Sequence, residues 1–133
     1  MTPDRSILVT DSDFSQLRRL ASHPSLAAEL MKAVVVDSGR VPADVVTMNS
    51  RVRFEDESTR MIRDVTIVFP DQVDAARGNV SILATICTAL LGLSVGQRIR
   101  WPFPDGSTRS LRVLALIYQP ENEYTAVGGG TRK

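Results

Sequence analysis

The chain has 133 residues, of which 43% are hydrophobic, and it carries 16 basic and 15 acidic side chains. This length suits one ordinary domain with a small appendage, which can fold without metal or disulfide support. Because the charge is nearly balanced, the chain lacks the excess of basic residues that general nucleic-acid binding requires, so a protein partner is favoured. A single cysteine, Cys87, and the lack of an apolar run of about 20 residues favour a reducing, cytoplasmic location without a membrane partner.

The first forty residues have helical periodicity. Residues 11–22 place apolar side chains at helical spacing behind an acidic start, which complements the helix dipole. Pro24 then disfavours a continuous helix, and Ser25 can cap a second helix that ends near Gly39. The pattern predicts a short αα-hairpin over residues 1–40, which leans on the following domain because its apolar stripes are narrow.

After Pro42 the apolar period changes to two, which is typical of β-strands. Strands are predicted around Val52–Phe54 and Val65–Phe69, followed by a helix from Thr85 that Gly92 ends. Two further apolar strands are joined by a Pro-Asp-Gly turn at Pro104. The fold class is therefore α+β, with a twisted antiparallel sheet and one packed helix. The predicted core consists of Val52, Phe54, Val65, Ile67, Ile86, Leu90, Val113 and Ala115.

Catalytic and metal-binding patterns are weak. His23 is the only histidine, and its distance in sequence from Cys87 offers no paired-ligand spacing and no nucleophile-base arrangement. The glycines at 128–130 neither follow a strand nor precede a helix, so they do not form a phosphate-binding loop. We therefore expect no catalytic residue, metal or cofactor. Alternating arginines such as Arg51 and Arg53 are interpreted as a solvated sheet face, without sequence-specific nucleic-acid binding.

Several motifs in fixed order resemble a known family. Residues 41–54, the helical segment from Ser81 to Ile99 and the turn and strand from Pro104 to Leu114 are similar as a set to the C-terminal domain of the Gre transcript-cleavage factors. The string from Val45 to Val52 and the Tyr-Gln-Pro-Glu sequence ending at Glu121 resemble the Rnk-type regulators of nucleoside diphosphate kinase. The resemblance implies an FKBP-like domain over residues 41–121, followed by a flexible tail over residues 122–133.

The resemblance also implies a partner and a contact segment. Gre factors dock on the rim of the RNA polymerase secondary channel through a loop and helix start. The corresponding partner-binding residues in this chain are Ile82, Leu83, Ala84, Thr85 and Cys87. The family commonly has proline where this chain has Thr85. RNA polymerase is therefore the expected partner of a transcription regulator.

The N-terminal part departs from the Gre pattern. Gre factors carry a long coiled coil whose acidic tip helps to hold a magnesium ion in the polymerase active site. The tip expected here, His23-Pro24-Ser25, has no carboxylate, although magnesium requires hard oxygen ligands. A helix over residues 11–22 extends only about 17 Å. We therefore expect polymerase binding without stimulation of transcript cleavage.

Two alternative functions follow from the same fold expectation. An FKBP-like domain can host prolyl isomerase activity in an aromatic-lined apolar pocket. The fold could also serve as a protein adaptor that is unrelated to polymerase. Because the chain has only seven aromatic residues, several of them in predicted strands, the regulator hypothesis is preferred.

Overall fold

The N-terminal part is a small unit of two strands and two helices. The structure, a computed structural model, describes residues 7–20 and 24–122. Strand β1 (Leu8–Thr10) leads into helix α1 (Asp11–Leu17), which continues as a 3-10 turn; helix α2 (Pro24–Met31) and strand β2 (Val34–Val36) follow. β1 and β2 pair in parallel, with Leu8 opposite Val34. This β–α–α–β arrangement is called the N-terminal unit below.

The start of α1 has a side-chain cap. Thr10 has extended backbone angles, and its hydroxyl accepts a hydrogen bond from the Asp13 N–H at 3.1 Å. This bond satisfies one of the free amides at the helix start, as a threonine cap normally does. Asp11 and Asp13 lie in the first turn, where negative charge complements the helix dipole.

Both predicted helices occur, but the predicted end of the second near Gly39 is wrong. α2 ends at Met31, and Val34–Val36 forms a strand instead. Three consecutive β-branched residues favour an extended backbone, and the partner strand Leu8–Thr10 supplies the hydrogen bonds. The two helices are therefore part of the N-terminal unit and not a separate hairpin. His23 and residues 123–133 of the predicted tail lie outside the described residues.

The remaining strands form one five-stranded sheet, which confirms the α+β class. Its strands are β3 (Arg51–Asp56), β4 (Met61–Val68), β5 (Asn79–Ser81), β6 (Arg98–Pro102) and β7 (Thr108–Tyr118), in the spatial order β5-β4-β3-β7-β6. Pairing is antiparallel except at one edge, where β5 runs parallel to β4. The expectation of a wholly antiparallel sheet is wrong at that edge, because two 3-10 turns between Pro70 and Arg77 carry the chain across before it re-enters the sheet.

One hydrophobic core serves both the sheet and the N-terminal unit. Of the predicted core, Val52, Phe54, Val65, Ile67, Leu90 and Val113 are buried, and Ile86 is half-buried against them. The core also includes residues of the N-terminal unit, namely Ile7, Val9, Leu17, Leu26 and Leu30. The boundary predicted between residues 40 and 41 thus divides two parts that share a core.

Ala115 is the exception among the predicted core residues. The β3/β7 register shifts between Arg53 and Phe54, so Phe54 pairs with Val113 while Arg53 pairs with Ala115. A bulge adds one residue on β7 and reverses which side chains face the core. Ala115 therefore lies beside an outward-facing arginine and is only half-buried, while Leu116 packs against the core in its place.

Gly92 brings the N-terminal unit against the end of helix α3 (Thr85–Leu90). Its φ of +84° is a left-handed conformation that glycine adopts without strain. A Cβ at this position would lie 3.2 Å from the Ile7 Cα and closer still to the Ile7 Cβ. Glycine thus ends the helix, as predicted, and also leaves the space that Ile7 occupies.

Candidate protein-docking site

The loop before α3 is fixed by its own hydrogen bonds. The Ser81 hydroxyl accepts from the Leu83 N–H at 3.0 Å, and the Ser81 carbonyl accepts from the Ala84 N–H at 2.9 Å. The Thr88 hydroxyl donates back to the Ile82 carbonyl at 2.7 Å. These bonds hold residues 81–85 in one conformation, so the segment presents a surface of fixed shape.

The five predicted partner-binding residues divide into two groups. The side chains of Ile82 and Cys87 are fully buried in the core. Leu83, Ala84 and Thr85 are half-buried and retain exposed surface. A partner could therefore contact the second group directly, while the first group supports the segment from below.

Cys87 has the properties of a structural cysteine. Burial raises the pKa of its thiol to about 12, so the thiol stays protonated at neutral pH. Its Sγ lies 3.8 Å from the Val80 carbonyl oxygen, to which it donates weakly. A buried, protonated thiol is a poor nucleophile, so this position is suited to packing.

A cleft of about 250 Å³ opens beside the exposed part of this segment. One wall comes from the start of α3 and the other from the end of β6 and the turn after it. The lining residues are Leu83, Thr85, Thr88, Trp101, Pro102, Phe103 and Pro104. The cleft thus combines aromatic and proline rings with threonine side chains, a surface suited to a mixed apolar and polar contact.

The outer wall of the cleft is held by a cation–π contact. The Arg109 guanidinium lies 4.5 Å from the centre of the Phe103 ring. The same guanidinium donates to Asp56 Oδ2 at 3.3 Å and to Asp105 Oδ2 at 3.4 Å. Phe103 is therefore held in place at the cleft edge.

A second cluster, the polar junction, joins the two motif strings that carried the family resemblance. It is formed by Asp13, Thr47, Ser50, Gln119 and Glu121. The Thr47 hydroxyl donates to Glu121 Oε1 at 2.7 Å and contacts the Ser50 hydroxyl at 2.8 Å. The Gln119 amide donates to the carbonyls of Pro42 and Val45 at 2.8 and 2.7 Å. The role of these residues is thus to fasten distant segments together.

Asp13 brings the N-terminal unit into this junction. Its Oδ2 accepts from the Met48 N–H at 3.1 Å. Burial raises the pKa of Asp13 to about 6, and the nearby Glu121 charge contributes to the same rise. Sequence reasoning assigned Asp13 only to the helix start, because nothing local signals a bond to a residue 35 positions away.

Residues 7–20 and 24–122, which the structure describes, hold neither a metal-binding cluster nor a membrane-spanning helix. Within these ranges no three His, Cys, Asp or Glu side chains gather closely enough to hold a metal ion. None of the helices in the same ranges is long and apolar enough to cross a membrane.

Known proteins resemble this chain in sequence and in structure. The family described as "Transcription elongation factor, GreA/GreB, C-term" matches residues 41–118. The regulator of nucleoside diphosphate kinase of Escherichia coli (strain K12) is 38% identical over 125 residues, which cover 87% of this chain and 92% of that protein. Transcription elongation factor GreA of Thermodesulfovibrio yellowstonii is 27% identical over 94 residues, 71% of this chain and 59% of that protein.

A solved structure agrees with this assignment. The prokaryotic transcription elongation factor GreA/GreB from Nitrosomonas europaea superposes with a TM-score of 0.69 at 40% identity, covering 86% of this chain and all of that chain. The family match spans more than half of the sequence, and the relatives extend the similarity into the N-terminal unit. The chain therefore belongs to the GreA/GreB C-terminal-domain family.

Proposed function

We propose that this protein is a transcription regulator that binds RNA polymerase at the rim of its secondary channel without stimulating transcript cleavage. Membership of the GreA/GreB C-terminal-domain family supports a transcription-factor-like role. The observation that carries the contact assignment is the accessible Leu83–Thr85 surface beside an aromatic cleft. The FKBP-like form of the fold belongs to the same proposal, supported by the five-stranded sheet with α3 against it.

The docking contact is assigned to Leu83, Ala84 and Thr85, with Ile82 and Cys87 supporting them from the core. A side chain of the partner that enters the cleft would be covered by Trp101 and Phe103. Central apolar contacts of this kind can contribute more than about 2 kcal/mol to binding as interface hot spots. A fixed loop also loses little conformational entropy when it binds.

The short N-terminal helices are the reason for proposing that the protein does not stimulate transcript cleavage. α1 has 7 residues and α2 has 8, so neither is longer than about 12 Å. α1 follows β1, whose Val9 is part of the shared core, and α2 leads into β2, which pairs with β1. An arm of this length does not bring a carboxylate deep into a channel. Addition of the protein to a backtracked polymerase complex should leave the RNA length unchanged on a gel.

Binding is tested with Leu83→Asp, which places a charge in the proposed contact. We expect polymerase capture to fall at least tenfold in a pull-down with core polymerase. The matched control is Val73→Asp, which adds the same charge to an exposed valine elsewhere on the surface and should bind like wild type. Because Leu83 is half-buried, thermal unfolding of both variants must be measured beside binding.

A third variant tests whether the N-terminal unit docks instead. Deletion of residues 1–40 is unsuitable because it removes Ile7, Leu17 and Leu26 from the core. Arg18→Glu, on the exposed surface after α1, changes the same unit without disturbing packing. Loss of binding in Arg18→Glu, with Leu83→Asp unaffected, would reverse the assignment.

The prolyl isomerase alternative is favoured by one observation, the presence of Trp101 and Phe103 in the same cleft. Aromatic-lined grooves can bind proline-containing segments. An isomerisation assay with a proline peptide separates the two functions, because the regulator hypothesis predicts no rate increase. Co-purification of polymerase from a bacterial lysate separates the regulator from a polymerase-independent adaptor, and assays of nucleoside diphosphate kinase test the activity named in the Escherichia coli relative.

A further inference from the structure

The polar junction brings together two carboxylates from distant parts of the chain. Asp13, in the first turn of α1, is only 8% exposed, and Glu121, which follows β7, is half-buried. After burial itself, the negative charge of Glu121 is the strongest influence that favours the protonated form of Asp13. The charge of one carboxylate therefore acts on the other across the boundary between the N-terminal unit and the segment after β7.

The surroundings of Asp13 divide into groups that favour its charge and groups that oppose it. The Met48 N–H and the Thr10 side chain hydrogen-bond to Asp13 and favour the ionised form. Burial, the charge of Glu121 and, least of all, the charge of Asp11 favour the protonated form. β2 also contacts α1, but its three valines bring no titratable group. The main charge that opposes ionisation therefore lies on a different segment from Asp13.

The two segments that carry these carboxylates are anchored unequally. β1, α1 and α2 each contribute apolar side chains to the shared core. Within the described residues, the apolar core along the last strand ends at Leu116, and residues 119–122 are held by side-chain hydrogen bonds. Among these bonds, the Asn122 amide donates to the Val41 carbonyl at 2.8 Å. Segments with few buried apolar contacts open at a lower free-energy cost than core elements, so residues 119–122 are the part that can move.

We propose that the polar junction is a pH-sensitive clasp, which fastens residues 119–122 while Asp13 is protonated and loosens them when Asp13 ionises. The ionised carboxylate keeps its bond from the Met48 N–H and repels Glu121, which lies on the less firmly anchored segment. The N-terminal unit keeps its place in the core. Because burial and Glu121 raise the pKa of Asp13 from 3.8 to about 6, the clasp is closed below this pH and loosens as the pH rises through it.

The first test follows residues 119–122 of the full chain by NMR relaxation at pH 5 and pH 7.5. The backbone order parameters of Glu121 and Asn122 should be near about 0.85 at the lower pH and below about 0.6 at the higher pH. The Leu83 amide, which donates to the Ser81 hydroxyl in a part of the surface outside the junction, should be equally ordered at both. A small unfolded population does not affect these values, so they separate local loosening from global unfolding.

Two variants remove one charge of the pair each and keep an acceptor oxygen. Asp13→Asn and Glu121→Gln should both hold Asn122 at pH 7.5 as firmly as wild type does at pH 5. Glu121→Gln should also lower the midpoint at which the Asp13 carboxyl carbon resonance titrates by at least about half a unit, a threefold change in proton affinity. The matched control is Asp11→Asn, which removes the same charge from the same helical turn at an exposed position. Its influence on Asp13 is the smaller one, so the loosening should persist.

Three results would overturn the proposal. They are equal order of residues 119–122 at both pH values in wild type, undiminished loosening in a folded Asp13→Asn variant, and an unchanged Asp13 midpoint in Glu121→Gln. Where a variant does not fold, wild type alone decides. Its loosening must follow the Asp13 titration with the same midpoint, and a different midpoint would also contradict the clasp.

Discussion

The two ends of β3 hold carboxylates in opposite ways. Where β3 begins, Asp13 is enclosed in the polar junction, and burial raises its pKa to about 6. Beyond the other end, Glu57 is bound by Arg98 at 2.7 and 3.0 Å and by the Ser110 hydroxyl at 2.8 Å. These contacts, the Arg98 bond first, lower the pKa of Glu57 to about 2.

The difference teaches that a hydrogen-bonded carboxylate is not necessarily a stabilising charge. At Glu57 the ionised form has a cation beside it and is favoured. At Asp13 the ionised form accepts bonds from its neighbours Met48 and Thr10, yet burial and the charge of Glu121 outweigh those bonds. Ionisation of Glu57 therefore stabilises the fold at one end of β3, whereas ionisation of Asp13 destabilises it at the other end.

The largest expected loss of stability comes from disrupting the close contact between Ile7 and Gly92, which holds the N-terminal unit against the end of α3. Gly92→Ala would push a methyl group into Ile7 and would force a left-handed backbone on alanine. Overpacking and backbone strain together should lower the free energy of unfolding by about 2 to 4 kcal/mol. Urea denaturation measures this loss. Gly39→Ala, whose added Cβ meets no atom within 4 Å, is the control.

Asp13→Asn tests the buried end of the comparison. The folded-state pKa lies above the ordinary value of 3.8, so folding is most favourable while Asp13 is protonated, and this contribution is lost as the pH rises through about 6. The substituted amide would keep an acceptor for Met48 without the charge. We expect the variant to raise the free energy of unfolding by about 1 to 3 kcal/mol at pH 7.5 and not at pH 3. A variant less stable than wild type at pH 7.5 would contradict this account.

Glu57→Gln tests the exposed end of the comparison and should change the free energy of unfolding least. The depressed pKa means that the contribution of Glu57 is present above its ordinary pKa of 4.5 and is lost as the pH falls toward 2. The variant should be slightly less stable than wild type at pH 7 and equal to it at pH 2. The difference should shrink in high salt, because exposed ion pairs are screened. Thermal denaturation at two pH values and two salt concentrations measures it.

Local patterns predicted the sheet better than the N-terminal unit. The period-two residues Val52, Phe54, Val65 and Ile67 are all buried, because each alternates within a single strand. Val34 also fits helical spacing after Leu30, so periodicity could not show that it belongs to a strand. Its partner Leu8 is distant in sequence, and only the tertiary structure decides between the two interpretations.

The candidate site was identified by family resemblance and not by residue chemistry. Leu83, Ala84 and Thr85 carry no catalytic signature, and their exposure depends on how the Ser81 bonds shape the loop. The cleft could not be predicted either, since Phe103 faces it only through the geometry of the turn and its contact with Arg109. The burial of Ala115 could not be predicted for a similar reason. Residues 113–117 are all apolar, so the sequence does not show where a bulge changes which side chains face the core.

The strand order has a consequence for the folding pathway. β3–β4 and β6–β7 are each joined by a short connection and can form early as separate hairpins. The sheet closes only when β3 meets β7, a pairing that also needs the largest loop closure among its antiparallel contacts. We expect this meeting to limit the folding rate. Substitutions along the β3–β7 seam should therefore slow folding, whereas those in the N-terminal unit should mainly speed unfolding.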